Sequence, residues 1–341
     1  MVINLYAVSK LLGPSLIGMA FIGLIPTVYA LFTNTEGASS FVVMIVIAFS
    51  AGKILSWLGK KSGQYVVTIR ELFLFTASLW VALTLISAIP IYVLLPDVDY
   101  AGAIFESASA LSTTGATAIN HLDDRPTAIL LWRSMLQLMG GLGFVVIAVA
   151  VLPQVAMGGM NIFKTESTYF ENRDKFTPHM KTMSLAILGW YLVTLVLCTI
   201  AFMIGGLDFF MAINTAASTI STGGMMPTDA SMNGKSSFVH YSAIVFMFLS
   251  SCPFTVIIAG ISGNIFKLFR DQQVRYYFLF TLFMSFMVTA TLYFKNEYDL
   301  ERAFRVATFN VVSVLSTSGF ALEDFTLWNP IATLLFLILL P

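Results

Sequence analysis

Long apolar runs recur from one end of this 341-residue chain to the other, at about 11–32, 40–58, 72–95, 128–152, 182–204, 238–263 and 276–294, with another starting near 329. A helix needs about 20 residues to cross a hydrocarbon core of roughly 30 Å, and these runs meet that length. Open strands would leave backbone groups unpaired in lipid, so the runs are expected to be helices. Charged residues make up only 11% of the chain and hydrophobic ones 57%, against about a quarter charged in soluble domains. The composition therefore excludes a soluble globule and predicts an all-α integral membrane protein.

The first run follows Lys10 but is longer than a secretory h-region and lacks a small-x-small cleavage site, so it reads as a retained span. Cys198 and Cys252 lie in separate apolar runs, and His121, His179 and His240 are scattered without ligand spacing. Neither a disulfide framework nor a zinc site is expected.

Threading the spans alternately puts Lys10, Lys60, Lys61, Arg70, Lys164, Arg173, Lys175, Lys181, Lys267, Arg270 and Arg275 on one side. By the positive-inside rule that side, with the N-terminus, is cytoplasmic. The opposite loops carry Asp97, Asp99, Asp208, Asp299, Glu301, Glu323 and Asp324 among other acids. An anionic outer face concentrates cations, although acidic residues also simply keep outer loops solvated.

A helix, a short amphipathic stretch, a Ser/Thr-Gly turn and a second helix occur three times in the same order. The turns are Leu111-Ser112-Thr113-Thr114-Gly115-Ala116, Thr219-Ile220-Ser221-Thr222-Gly223-Gly224 and Leu315-Ser316-Thr317-Ser318-Gly319-Phe320. Setting Gly115, Gly223 and Gly319 opposite one another also aligns Glu106, Asn214 and Asn310, nine residues upstream. The expected organisation is a two-span hairpin over 1–60, a first repeat over 61–163, a cytoplasmic loop and second repeat over 164–266, and a third repeat over 267–341.

The stretches before the turns are too short to span and too apolar for solvated loops, which predicts half-helices over 101–114, 209–222 and 305–318 entering from outside. Non-helical backbone at membrane depth is tolerated where it is buried in protein or lines a watery cavity. Such turns can aim successive carbonyl oxygens at a dehydrated cation, and a half-helix C-terminus adds partial negative charge. The candidate ion-site residues are Ser112, Thr113, Thr114, Gly115, Ser221, Thr222, Gly223, Thr317, Ser318 and Gly319. Thr-Gly pairs also mark close helix packing in membranes, a reading that three placed repeats disfavour. A membrane-embedded enzyme finds no support, since no nucleophile–base or metal-ligand pair stands at usable spacing. A secondary transporter for another small cation or solute would more usually show inverted repeats.

The run Phe105-Glu106-Ser107-Ala108-Ser109-Ala110-Leu111-Ser112-Thr113-Thr114-Gly115-Ala116-Thr117 resembles the first pore loop of the Trk/Ktr/HKT superfamily of potassium uptake proteins. Trp132-Arg133-Ser134 through Gly140-Gly141-Leu142-Gly143 is similar to the helix that follows. Gly158-Gly159-Met160 with Phe163 to Ser167 resembles the next loop of the bacterial Trk branch, and the segments from Ser218 and Asn310 resemble the second and third pore loops. The resemblance implies potassium as the transported ion, four repeats around one pore and homodimers with one pore per protomer. It also implies a cytosolic nucleotide-binding regulatory ring and residence in the bacterial cytoplasmic (inner) membrane, in contact with lipid and without nucleic acid. Glycine at the first filter position, here Gly115, goes with potassium selectivity in that superfamily, so Gly115→Ser is expected to raise sodium permeation. Three repeats are present up to Pro341, and the chain is therefore expected to insert alone but to conduct only with a fourth supplied, or else to be an inactive fragment.

Several single residues carry expectations. Arg133, an intramembrane charge, is expected to pair with Glu106. Lys53 is expected to snorkel to the cytoplasmic interface. Trp57, Trp132 and Trp328 read as interfacial anchors, and Gly140 to Gly143 as a close-packing or flexing point rather than a phosphate loop.

Overall fold

The computed structural model describes residues 3–63, 67–159, 176–253, 256–257, 270–295 and 298–339. The motif Phe163 to Ser167, and most of the cytoplasmic stretch from Lys164 to Lys181, lie outside them. Among the described residues the α-helices are α1 (Leu5–Ile22), α2 (Leu24–Thr33), α3 (Ala38–Gly59), α4 (Ile69–Leu94), α5 (Tyr100–Leu111), α6 (Thr127–Gly159), α7 (Phe176–Ile204), α8 (Phe209–Ile220), α9 (Ser237–Ser250), α10 (Gln272–Lys295), α11 (Leu300–Leu315) and α12 (Pro330–Leu339). The first expected span is two helices rather than one. Pro26 lacks the N–H that would bond the Ile22 carbonyl, and the chain breaks at Gly23.

The chain forms two compact units. One comprises Met1–Leu111, Thr117–Arg133 and Gly143–Lys181; the other comprises Ser112–Ala116, Ser134–Leu142 and Thr182–Pro341.

In the first unit α1 and α3 meet along a glycine seam. A Cβ on Gly13 would stand 2.8 Å from the Gly52 carbonyl oxygen, and one on Gly59 would stand 2.7 Å from the Lys10 nitrogen. Small residues let the two backbones approach where lipid offers no hydrophobic drive. Glu71 joins the starts of two helices: it closes a capping box with Thr68 on α4 and accepts the Asn4 N–H at 3.1 Å, beside the Asn4 cap of α1. Trp132 is no interfacial anchor. It is fully buried, edge-on to Phe41 at 5.7 Å, and its indole N–H donates to the Ser87 carbonyl at 3.1 Å. Trp57 is exposed, with the Lys61 ammonium over its ring, and Lys53 lies over Phe49.

The second unit is built on an apolar core that includes Cys198, Phe202, Val239, Met247, Val288, Phe309 and Phe336. Trp328 belongs to that core, packed edge-on to Phe336, so it too is buried rather than interfacial. Helix α8 has 12 residues and α11 has 16; at 1.5 Å per residue they are roughly 18 and 24 Å long, short of a hydrocarbon core. The third half-helix begins at Leu300, five residues before its expected start, because Asp299 caps it and accepts the Arg302 N–H at 3.2 Å.

Candidate functional site: three nested turns

Each short helix starts on an aspartate. Asp99 accepts the Gly102 N–H at 2.7 Å, Asp208 the Met211 N–H at 2.8 Å, and Asp299 the Arg302 N–H. Three of the acids expected on the outer face are therefore helix caps, placed where a carboxylate satisfies the first-turn donors and complements the helix dipole.

The helices end in one backbone pattern. After Leu111, Ile220 and Leu315 comes a serine, then a threonine in the left-handed region (Thr113 φ 55°, Thr222 φ 54°, Thr317 φ 58°). Two residues later comes a glycine, also at positive φ: Gly115 at 83°, Gly224 at 72° and Gly319 at 74°. A β-branched residue there is a genuine outlier, costing about 1–3 kcal/mol, and three in register are held by their surroundings. On α8 the turn closes as a Schellman motif, with Thr222 N–H on the Thr219 carbonyl at 3.2 Å and Gly223 N–H on the Ser218 carbonyl at 2.9 Å. The usual glycine of that motif is replaced by Thr222.

This pattern shifts the expected alignment of the second repeat by one residue. Gly224, not Gly223, stands opposite Gly115 and Gly319, so the equivalent runs are Leu111-Ser112-Thr113-Thr114-Gly115, Ile220-Ser221-Thr222-Gly223-Gly224 and Leu315-Ser316-Thr317-Ser318-Gly319. Asn214, used as an anchor for the earlier register, bonds its own helix at the Phe210 carbonyl, 2.7 Å away. The reliable marker was the last apolar residue of each half-helix.

The turns nest against one another in sequence order. A Cβ on Gly115 would collide with the Gly223 carbonyl oxygen, and a Cβ on Gly224 with the Ser318 carbonyl oxygen. Each contact puts a glycine Cα against the carbonyl of the residue preceding the next turn's glycine. Gly115 and Gly224 are thus glycine for two reasons, backbone angle and space, whereas Gly319 has open space beside it and only its angle to satisfy. Within the turns, Ser112 and Thr114 hydroxyls meet at 2.7 Å and Ser316 and Ser318 hydroxyls at 2.8 Å. Thr113 and Thr317 each donate to the preceding carbonyl at 2.7 Å.

Helix α6 backs the second turn. A Cβ on Gly141 would be 3.2 Å from the Ser221 Cβ and 2.8 Å from the Tyr191 hydroxyl, so within the glycine cluster Gly141 is a close-packing point, whereas Gly143 has open space beside it. Gly223 faces Gln137, one turn earlier on the same helix. Sequence inspection missed Gln137, Ser316 and Gly224; for Gln137 the signal was an uncharged amide one turn after Arg133 in a mainly apolar run.

In the first unit, Arg133 and Glu106 form the expected ion pair. The Nε–Oε1 distance is 2.6 Å, and the side chains are 2% and 0% exposed. Glu106 also accepts the Thr117 hydroxyl at 3.0 Å and the Ala118 N–H at 2.8 Å, so the pair anchors the strand of chain that leaves the first turn.

Further polar contacts hold residues at or near helix starts within each unit. His240 is buried, with Nε2 2.9 Å from the Met232 carbonyl and Nδ1 2.9 Å from the Arg305 guanidinium. Because arginine only donates, Nδ1 accepts and Nε2–H donates, which makes the ring neutral. Arg302 pairs with Glu323 at 2.8 Å, and Asp97 with Arg125, whose hydrogen bond holds the Asp97 carboxyl below the usual carboxylate range.

Comparison with known proteins gives a consistent set of likenesses. The model of the TrkH family, described as a cation transport protein, matches residues 37–340. The Trk system potassium uptake protein TrkH of Halomonas elongata is 30% identical over 329 residues, 95% of this chain and 68% of that one. The protein of the same name from Vibrio parahaemolyticus is 33% identical over 315 residues, 89% of this chain and 64% of its own length. The crystal structure of the potassium transporter TrkH from Vibrio parahaemolyticus superposes with a TM-score of 0.86 at 28% identity, covering 99% of this chain and 70% of that chain. The chain thus spans about two thirds of the length of these relatives.

Proposed function

This chain belongs to the TrkH cation transport family, and from that premise we propose that it takes potassium into the cell through a pore whose filter is made of backbone carbonyls around Gly115, Gly224 and Gly319. The observation that carries the reading is the nesting of the turns. Three half-helices end in the same strained Ser-Thr-x-Gly geometry, and the first two turns each press their glycine on the next turn's carbonyl oxygen. Carbonyl oxygens so grouped replace a cation's hydration shell without a fixed countercharge, which suits weak, rapidly exchanging binding of a monovalent ion. The half-helix C-termini add partial negative charge at the same level.

On this reading Ser112, Thr113, Thr114, Ser221, Thr222, Gly223, Thr317 and Ser318 shape the filter wall. The helix–turn–helix segments act as repeats of one pore behind a two-span N-terminal hairpin. The N-terminus and basic loops face the cytoplasm, the protein pairs as a homodimer, and a cytosolic nucleotide-binding ring regulates it. The relatives are named for a transport system, and the family is one of transporters rather than enzymes.

The test is growth of a bacterium lacking its own potassium uptake on low potassium. The chain is expressed both alone and joined to the part of the Vibrio parahaemolyticus protein outside the matched region. Growth and rubidium uptake are expected of the joined form; failure of both forms, with the protein inserted in the membrane, would overturn the reading.

A further inference from the structure

The residue before the filter glycine differs among the three turns in a way that involves α6. In the first and third turns it is Thr114 or Ser318, and its hydroxyl ties back to Ser112 or Ser316 across the left-handed threonine, at 2.7 and 2.8 Å. In the second turn it is Gly223, which has no side chain to form that tie. The Ser221 hydroxyl there bonds the helix behind it instead, on the Ala217 carbonyl at 2.8 Å.

The space that a side chain would fill at Gly223 holds the end of Gln137. A Cβ on Gly223 would collide with the Gln137 carboxamide nitrogen and would stand 2.6 Å from the carboxamide carbon. Gln137 is fully buried, and neither its amide nitrogen nor its amide oxygen has a hydrogen-bond partner among the described residues. Leaving such a group unpaired costs about 1–3 kcal/mol, whereas an apolar residue of the same shape would cost nothing of the kind.

Resting on the reading of this site as a potassium filter, we propose that Gln137 is a positioning residue of the second turn, supplying from α6 the polar brace that Thr114 and Ser318 supply within their own turns. The Gly223 peptide lies between two left-handed residues, Thr222 and Gly224, and has no Cβ, so it can rotate more freely than its counterparts. Its carbonyl is also the one seated against Gly115. An amide held beside it can donate to or accept from that peptide as ions pass, keeping the carbonyl in the filter wall.

The experiment uses the form of the chain that supports growth in the test above and measures rubidium uptake in vesicles in competition with potassium and sodium. Gln137→Leu retains most of the volume and removes the amide. Its potassium-over-sodium preference is expected to fall about tenfold, the effect of losing roughly one hydrogen bond, with no fall in thermal midpoint. Gln137→Ala is expected to lose preference as well, and Gln137→Ala with Gly223→Ser, which restores the hydroxyl tie, to recover it. Wild-type preference in Gln137→Leu, or a double variant no better than Gln137→Ala, overturns the proposal. Should Gln137→Leu not insert, the comparison of Gln137→Ala with the double variant decides alone. A wild type that carries no rubidium sinks the potassium reading itself.

Discussion

Replacing Arg133 with alanine strips the partner from a carboxylate that has no exposure. Glu106 would keep the Thr117 hydroxyl and the Ala118 N–H, but it would lose the guanidinium at 2.6 Å. Breaking one half of a buried pair costs about 3–5 kcal/mol, because the remaining charge is stranded or must take up a proton. At roughly 2–4 °C per kcal/mol the apparent melting temperature of the detergent-purified protein should fall by on the order of 10 °C. The double change Glu106→Leu with Arg133→Met removes both charges and should recover much of that loss. The charge-swapped pair Glu106→Arg with Arg133→Glu should not, since it would set a cation against the Ala118 N–H, which needs an acceptor. A fall of less than 2 °C in Arg133→Ala, or full rescue by the swap, would show that the pair does not anchor the chain leaving the first turn.

Two further outcomes follow from the same geometry. Gly224→Ala should damage the protein more than Gly319→Ala, because both strain a left-handed backbone by about 1–2 kcal/mol but only the first drives a methyl group into a carbonyl oxygen; comparing the two variants' melting temperatures checks this, and equal losses would refute the nested contact. Asp97 titrates below the usual range because of Arg125, so its contribution is present above the unfolded carboxylate value and is lost as pH falls through the lower folded one; Asp97→Asn should flatten that part of the acid limb in a melting-temperature profile below about pH 4.

Much of the site was legible because its elements are written in strong local signals. Apolar length gave most of the spans, although the helix of the run at 238–263 ends at Ser250, and a short amphipathic stretch closed by a Ser/Thr-Gly turn gave the half-helices, whose capping aspartates were read only as outer-face acids. An arginine deep in an apolar run also demanded a carboxylate, and Glu106 supplied it. What was missed depended on geometry that no local window carries. The second turn reads Thr-Gly-Gly, and either glycine satisfies a sequence pattern; only the backbone angles distinguish Gly224 from Gly223. Trp132 and Trp328 sit near span ends, as interfacial anchors do, yet Phe41 packs on the first and the second belongs to a core with distant residues such as Phe202 and Val288. Gln137 looks unremarkable in an apolar helix until Gly223, eighty-six positions later, is found against it.

The contact between Gly115 and the Gly223 carbonyl also sets an order on biosynthesis. The first turn, Ser112–Ala116, is grouped with Thr182–Pro341 rather than with the helices on either side of it in the chain. While the ribosome is still making α7, the first half-helix and its paired carboxylate can already be in place, but the turn has nothing to nest against. The left-handed Thr113 therefore waits for the surroundings that hold it until more than a hundred further residues have been made, its turn's hydroxyls meanwhile paired only within the turn. A substitution that slows delivery of α8 would then lower yield by exposing the first turn to quality-control proteases, even where the finished protein is no less stable.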